Sequence, residues 1–134
     1  MPDDSDTDLV AAAIAVRENA YCPYSHFSVG AALVDETGSV HLGCNVENSS
    51  YPEGTCAESG AIASMVASGA RRIRRIVVAG GHDEIETCTP CGGCRQRIAE
   101  FGDDDTVIVL VDGDGETSEY SIEDLLPMGF RLEE

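Results

Sequence analysis

The sequence predicts an α/β fold, a three-layer α/β/α sandwich around a mixed sheet of roughly five strands. Hydrophobic patterns alternate between helical and extended spacing after an opening pair of strands. Asp35-Glu36-Thr37-Gly38 is a hairpin turn signal between those two strands. Two later runs, 76–79 and 106–111, are short and almost wholly apolar. Such runs are typical of strands in a sheet that is covered on both faces.

The first half of the chain is predicted to form a helix, a hairpin and a second helix, over residues 9–16, 27–34 with 39–46, and 56–68. Apolar residues recur at helical spacing in the first helix, whose start Asp6, Thr7 or Asp8 can cap. Gly69 follows the second helix and is expected to end it.

The second half is predicted to form a strand, a helix, a strand, a last short strand and a short helix, over residues 76–79, 91–101, 106–111, 119–122 and 122–126. Gly102 is expected to end the longer helix. Asp112-Gly113-Asp114-Gly115 is typical of a turn, and Pro127 stops the final helix because proline cannot continue it.

Length and composition fit one domain. The chain has 134 residues, 43% of them hydrophobic, and we expect a single domain over 1–134 with a frayed acidic tail at 1–7. The longest apolar runs, 9–16 and 107–111, are far shorter than the ~18 residues of a membrane-spanning helix. The N-terminus has neither the basic start nor the apolar stretch of a secretory signal. These features favour a cytoplasmic protein without a membrane partner.

The net charge is strongly negative. Asp and Glu number 25 against 8 basic residues, all of them Arg, for a formal net charge of −17. A field of this sign repels polyanions, so no nucleic-acid partner is expected. The one basic cluster, Arg71, Arg72, Arg74 and Arg75, is better explained as cations at a helix end that complement its dipole. The acidic excess also suggests a hypothesis of halophilic origin.

Two cysteine motifs carry the chemistry. Six cysteines are present, and in a reducing compartment thiols or metal ligands are expected rather than disulfides. Thr55-Cys56-Ala57-Glu58 opens one predicted helix, and Pro90-Cys91-Gly92-Gly93-Cys94 opens the next. Helix N-termini stabilise thiolates, which are the form that binds metal. Three thiolates leave one tetrahedral position open, and that is the mark of a catalytic zinc site.

Glu58 gains a task from this arrangement. It follows Cys56 by two residues in the first helical turn, close to the expected metal. A carboxylate there can take a proton from zinc-bound water and pass it to a substrate nitrogen. The same layout marks the zinc deaminases: a His or Cys, then x-Glu, then Pro-Cys-x-x-Cys, with the Glu not a ligand.

A closed structural zinc site is the alternative within the cysteine motifs. Cys88 stands three residues before Cys91. Together with Cys56 and Cys94, these two thiols would fill all four positions of a tetrahedron. We favour the open site because a closed one leaves Glu58 without a task.

The other cysteines and the histidines are expected to have no part in the site. Cys22 and Cys44 are interpreted as small buried hydrophobes. His26, His41 and His82 lack ligand spacing and are expected on the surface or in loops.

Five segments of the chain, in this order, carry a family resemblance: Ala20 to Leu33, Gly43 to Tyr51, Cys56-Ala57-Glu58, Pro90 to Gln96, and Leu125-Leu126-Pro127 followed by Phe130. In these segments the sequence resembles the cytidine deaminase family over nearly its whole length. The resemblance implies the cytidine deaminase-like version of the α/β/α fold, and one Zn²⁺ per chain held by Cys56, Cys91 and Cys94. Glu58 would shuttle protons.

The resemblance also implies a set of substrate-binding residues: Phe27, Asn45, Glu47, Asn48, Tyr51, Ala57 and Phe130. Asn45 and Glu47 would hydrogen-bond the ribose hydroxyls, and Phe27 would pack on the pyrimidine. Phe130 would cover that ring from another subunit, and Tyr51 would reach a neighbouring site. Core packing for the phenylalanines and strand-end hydrogen bonding for Asn45 and Glu47 are the structural alternatives.

Relatives with Cys at the first ligand position form homotetramers, so the resemblance implies a homotetramer with shared active sites. The sequence departs from the family at one position. Many Cys-ligand members carry Arg directly after the Glu, where this chain has Ser59. Three thiolates on Zn²⁺ leave a net charge of −1 by simple addition, so compensation is expected from Arg95 and the helix N-termini.

The expected function is hydrolytic deamination of free cytidine and deoxycytidine to uridine and deoxyuridine plus ammonia, a step of pyrimidine salvage. Two alternatives stay open: a related small-heterocycle deaminase of the blasticidin S type, and a structural Cys₄ zinc protein. The segment from Asn45 to Asn48 favours a nucleoside over the first, since it resembles the family's ribose-binding segment.

Overall fold

The structure is a computed structural model that describes residues 4–132. Its elements in chain order are helix α1 (Asp4–Arg17), strands β1 (Ser28–Asp35) and β2 (Val40–Cys44), a 3₁₀ turn (Tyr51–Glu53), helix α2 (Ala57–Ala67), strand β3 (Ile73–Gly81), helix α3 (Gly92–Phe101), strands β4 (Val107–Val111) and β5 (Thr117–Tyr120), and helix α4 (Ile122–Leu125).

The five strands form one mixed sheet in the order β2-β1-β3-β4-β5. Only β3 and β4, which α3 connects, run parallel, and the other neighbours are antiparallel. The helical crossover and the two hairpins dictate these directions. The predicted mixed sheet is confirmed.

Alternate residues of the central strands face two different apolar layers. One face presents Ala31, Leu33, Ile76 and similar residues to α2 and α3. The opposite face presents their neighbours, such as Ala32 and Val77, to α1. Because side chains alternate along a strand, both faces of these strands must be apolar. Helices on both faces confirm the three-layer prediction.

Two glycines let the helices approach the sheet closely. A Cβ on Gly43 of β2 would collide with the backbone of α2 at Ala57 and Ala61. A Cβ on Gly30 of β1 would collide with α1 at Ala13 and Arg17. The contact at Gly43 places the start of α2 directly against the sheet. The predicted functional residues that follow Thr55 lie at this helix start.

The start of α1 differs from the prediction. The helix begins at Asp4, so residues 4–7 of the expected tail are helical and the proposed caps Asp6, Thr7 and Asp8 lie inside the helix. Residues 1–3 of that tail lie outside the described part of the chain.

Strand β3 is longer than its apolar run. It extends from Ile73 to Gly81, so Arg74 and Arg75 are strand residues rather than helix-end cations. Arg75 forms an ion pair with Glu119 of β5, with 2.6 Å between Nη2 and Oε2. Arg71 and Arg72 fulfil the helix-end prediction: the Arg71 guanidinium donates to the carbonyl of Val66 in α2 at 3.0 Å, and Arg72 Nη1 donates to the carbonyl of Gly102 at the end of α3 at 3.3 Å. Pairing with β1 therefore makes Arg74 and Arg75 part of β3, although the charge pattern predicted cations at a helix end.

Between residues 4 and 132, no helix combines the length and the apolar character that crossing a bilayer requires.

A buried hydrogen bond between Asp35 and His41 closes the β1–β2 hairpin. Asp35 is 1% exposed and His41 is 8% exposed, with 2.8 Å between Asp35 Oδ2 and His41 Nε2. The other carboxylate oxygen accepts hydrogen bonds from the Thr37 hydroxyl, at 2.6 Å, and from the backbone N–H groups of Thr37 and Ser39. The expectation that His41 lies on the surface is therefore wrong. A buried carboxylate needs such partners, and His41 is one of them.

We expect Asp35→Asn to destabilise the fold most at neutral pH. Hydrogen bonds from the Thr37 hydroxyl and then from His41 hold the pKa of Asp35 well below its ordinary value. A carboxylate with a lowered folded-state pKa contributes stability above its unfolded-state pKa of ~3.9, and loses it as the pH falls towards the folded-state value. The difference in thermal midpoint between wild type and variant should therefore shrink from about pH 7 to about pH 3.

Asp104→Asn, at an exposed position, is the matched control and should show little difference at either pH. A gap between wild type and Asp35→Asn that stays constant with pH would mean that the carboxylate charge is not responsible.

Candidate metal centre and binding cavity

A cavity of about 500 Å³ opens beside the starts of α2 and α3. The segment after β2 forms one wall, the 3₁₀ turn forms another, and the loop before α3 forms the third. Residues of both cysteine motifs line its floor: Cys56, Ala57, Glu58 and Cys91. The two motifs, which lie 35 residues apart in the chain, therefore share one site.

Three sulfurs converge at this floor. Cys56 is the N-cap of α2, and Cys91 is the N-cap of α3, where its Sγ accepts a hydrogen bond from the Cys94 N–H at 3.4 Å. The Sγ atoms of Cys56 and Cys91 are 3.8 Å apart, and with Cys94 Sγ all three lie within 4.8 Å of one another. Tetrahedral zinc with Zn–S bonds of ~2.3 Å places its sulfurs about 3.8 Å apart. The donor set therefore fits one zinc ion per chain.

Cys88 lines the same cavity but does not join this group. Among the residues that the structure describes, the only converging set of three potential ligands is Cys56, Cys91 and Cys94. Burial, and then the negative charge of Glu58, raise the pKa of the Cys88 thiol to about 11. Because the Cys88 sulfur lies outside the converging group, the geometry favours the open three-sulfur arrangement over the Cys₄ alternative.

Glu58 is 3% exposed, yet it lines the cavity beside the sulfurs. Burial raises the pKa of its carboxyl above the ordinary value of 4.5, and a hydrogen bond with Cys94 and the charge of Arg97 offset part of that rise. A carboxyl group with a raised pKa is suited to accept and return a proton near neutral pH.

Asn45 and Glu47 line the same cavity, and backbone groups hold both side chains in place. The Asn45 amide donates to the carbonyl of Phe27 and accepts from the N–H of Val29, both at 2.8 Å. Glu47 Oε1 accepts from the N–H groups of Tyr24 and Ser25 at 2.9 and 3.2 Å. Strand-end hydrogen bonding is thus present, and it fixes both polar groups on the cavity surface.

Asn48, Tyr51 and Ala57 also line this cavity, as the sequence predicted, but the two phenylalanines do not. Phe27 lies behind Gly80 and packs edge-to-face on His82, with 5.0 Å between the ring centroids. Phe130 is 70% exposed and lines a second cavity, of about 400 Å³, between α3 and the C-terminal segment. Within one chain, the structure does not bring Phe130 to the sulfurs.

Two of the cavity-lining residues that were not predicted from the sequence hold a predicted one in place. Tyr24 and Ser25 line the cavity and donate the backbone hydrogen bonds that hold Glu47. They lie in the first segment of the family resemblance, and that position was the available signal. Backbone donors leave no trace in side-chain identity, so a motif search cannot find them.

The expected charge compensation by Arg95 needs correction. Its guanidinium donates to the carbonyls of Pro90 and Leu125, both at 2.8 Å, and so ties the loop before α3 to α4. The cation at a sulfur is Arg97, whose Nη1 lies 3.6 Å from Cys94 Sγ. Residues three apart share a helix face, so Arg97 returns to Cys94 while Arg95 points elsewhere.

Comparisons with known proteins agree with this geometry. Residues 3–110 match the family model described as the cytidine and deoxycytidylate deaminase zinc-binding region. The cytidine deaminase of Sporosarcina psychrophila is 40% identical over 126 residues, covering 94% of this chain and 91% of that protein. The crystal structure of cytidine deaminase from Burkholderia pseudomallei superposes with a TM-score of 0.85 at 43% identity, covering 97% of this chain and 100% of that one.

A more distant relative is named for a different substrate. The blasticidin-S deaminase of Bacillus cereus is 30% identical over 131 residues, covering 93% of this chain and 91% of that protein. The family model describes a zinc-binding region, the superposed structure shares the fold, and the three converging sulfurs supply a site for that metal. The chain belongs to the cytidine deaminase family.

Proposed function

We propose that the chain catalyses the hydrolytic deamination of free cytidine and deoxycytidine, giving uridine or deoxyuridine and ammonia, as a step of pyrimidine salvage in the cytoplasm. The observation that carries the proposal is the cavity itself. Its lining combines two of the three converging sulfurs, those of Cys56 and Cys91, with the buried Glu58 carboxyl and with Asn45 and Glu47. Zinc, when bound, supplies the activation of a water molecule as a nucleophile.

Glu58 moves the protons of the reaction. It takes one proton from the attacking water, whose oxygen bonds to C4 of the pyrimidine, and delivers that proton to N3. The remaining hydroxyl proton then passes through Glu58 to the amino group, and the C4–N4 bond breaks to release ammonia. The raised pKa of Glu58 suits a group that must hold and return a proton within one turnover.

The polar side chains of Asn45 and Glu47 in the cavity lining support a nucleoside as the substrate. Backbone hydrogen bonds already orient Asn45 and Glu47, so the two groups bind ribose hydroxyls with little loss of side-chain freedom. This polar wall favours cytidine over a blasticidin S-type substrate. Measured release of ammonia tests the proposal, with cytidine and deoxycytidine as substrates, blasticidin S as the competing substrate and single-stranded DNA as the negative control. Turnover of blasticidin S alone, or of none of these compounds, would refute it.

We further propose a homotetramer in which neighbouring chains complete each site. Tyr51 is 79% exposed at the cavity mouth. Phe130 is similarly exposed and lies away from its own chain's sulfurs. Large aromatic side chains in such positions are typical of surfaces that pack against a partner. A neighbour's Phe130 would then cover the pyrimidine from the solvent side.

We expect Glu58→Gln to keep zinc and fold but to lower the rate of ammonia release by about 100-fold or more. The amide has the shape of the carboxylate but cannot take up the water proton. Steady-state kinetics and metal analysis of the same preparation test this. A variant that retains more than about a tenth of the wild-type rate would contradict the assigned proton transfer.

Paired cysteine variants test the ligand set. Cys88→Ser should keep one zinc ion per chain and remain active, whereas Cys91→Ser should lose zinc because only two sulfurs of the cluster remain. Metal analysis after dialysis against a weak chelator measures both. Zinc loss from Cys88→Ser would instead favour the closed Cys₄ site.

The tetramer proposal predicts dependence on salt. The charge of −17 per chain is multiplied in an oligomer, so repulsion weakens assembly in dilute buffer. Raising salt from about 0.1 M to about 1 M shortens the Debye length from about 10 Å to about 3 Å and screens that repulsion. Tetramer content, by sedimentation velocity, and ammonia release should rise together. A fully assembled tetramer with equal activity at the lowest and the highest salt concentration would contradict the halophilic hypothesis.

A further inference from the structure

Arg97 contacts the sulfur that is buried most deeply in the metal centre. Its Nη1 donates to Cys94 Sγ at 3.6 Å, and Cys94 is fully buried while the Arg97 side chain reaches in from the surface. The contact spans one turn of α3, so the rigid helix sets its geometry. A hydrogen bond from a guanidinium to a thiolate is charge-assisted and stronger than one between neutral groups.

Gly93 makes room for this guanidinium. A Cβ at Gly93 would lie 3.2 Å from Arg97 Nη1 and 4.0 Å from Cys91 Sγ. Glycine inside a helix is unfavourable by roughly 0.5–1 kcal/mol relative to alanine. Gly93 is helical and its φ is not positive, so its backbone does not require glycine. A Cβ there would displace the guanidinium by only a few tenths of an ångström, so glycine eases the approach of Arg97 to the sulfurs without being required for it.

The charge of the site explains why a cation is needed there. Zn²⁺ with three thiolates carries a net charge of −1 by simple addition, and the Glu58 carboxyl lies alongside. Ser59, next to Glu58, brings no charge, and Arg95 is engaged with two carbonyls. Arg97 is the guanidinium whose contact with a ligand sulfur the structure shows.

We propose that Arg97 is a positioning residue of the zinc site, whose guanidinium stabilises the thiolate of Cys94 and thereby retains the metal. The proposal rests on the three-sulfur zinc site that the proposed function also uses, but its consequence is metal retention rather than turnover. Removal of the cation leaves only the two helix N-termini to offset the negative charge of the zinc–thiolate cluster, so zinc should dissociate more readily.

The test is zinc affinity, measured on the purified holoprotein by competition with the chromophoric chelator 4-(2-pyridylazo)resorcinol. Arg97→Gln should weaken zinc binding by about 10-fold, as is typical when a group that hydrogen-bonds a metal ligand is lost. Arg97→Lys retains the charge and should recover part of that affinity. Arg74→Gln removes the same charge at the opposite end of β3 and should have no effect. Arg74 is six residues, or about 20 Å, from Gly80, which lies against Cys88 at the cavity.

Equal zinc affinity in Arg97→Gln and wild type would overturn the proposal, and so would an equal loss in Arg74→Gln, which would indicate a general effect of net charge. If Arg97→Gln does not fold, Arg97→Lys decides, because a specific guanidinium contact predicts an affinity between that of the wild type and complete loss. Ammonia release is measured in parallel. Wild-type protein that binds zinc without turning over cytidine would refute the proposed function and leave the comparison of zinc affinities valid.

Discussion

The site depends on two helix N-termini that must meet closely enough for three sulfurs to share one metal ion. Cys56 and Cys91 are the N-caps of α2 and α3, and their Sγ atoms lie 3.8 Å apart. The sheet holds the helices in this position. Gly43 lets α2 lie against β2, and α3 is the crossover between the parallel strands β3 and β4. Both helix dipoles therefore direct their positive ends at the thiolates.

A second constraint follows from the first, because this arrangement concentrates negative charge inside an already acidic chain. The thiols of Cys56 and Cys91 line one cavity with the buried Glu58, and the Cys94 sulfur lies within 4.8 Å of both, in a protein whose net charge is −17. Burial raises the pKa of Glu58, and the charge of Arg97 lowers it. The cation therefore acts on a ligand and on the proton-transfer group together. Catalytic zinc chemistry needs both a stable thiolate set and a carboxyl that exchanges protons near neutrality.

Spacing along the chain predicted the elements and the motifs whose partners are local. The helix starts at Cys56 and Cys91, the hairpin and the two-faced strands all follow from periods of 3.6 and 2 residues. The failures have a different physical origin. Pairing with β1 extended β3 through Arg74 and Arg75. His41 is buried because it hydrogen-bonds Asp35 across the hairpin. Such contacts form across space, and neither spacing nor composition contains them.

The same distinction separates the two arginines of α3. Arg95 stands next to Cys94 in sequence, but neighbours on a helix diverge by about 100° and do not face each other. Arg97, three residues on, shares the face of Cys94 and reaches its sulfur. Helical periodicity alone favours Arg97 once α3 begins at Gly92. The Cys-x-x-Cys motif specifies no residue type at Gly93. The structure shows that Gly93 lies next to the Arg97 guanidinium. A residue one helical turn beyond the last ligand thus contributes to the charge around the metal, while the ligands themselves set its coordination.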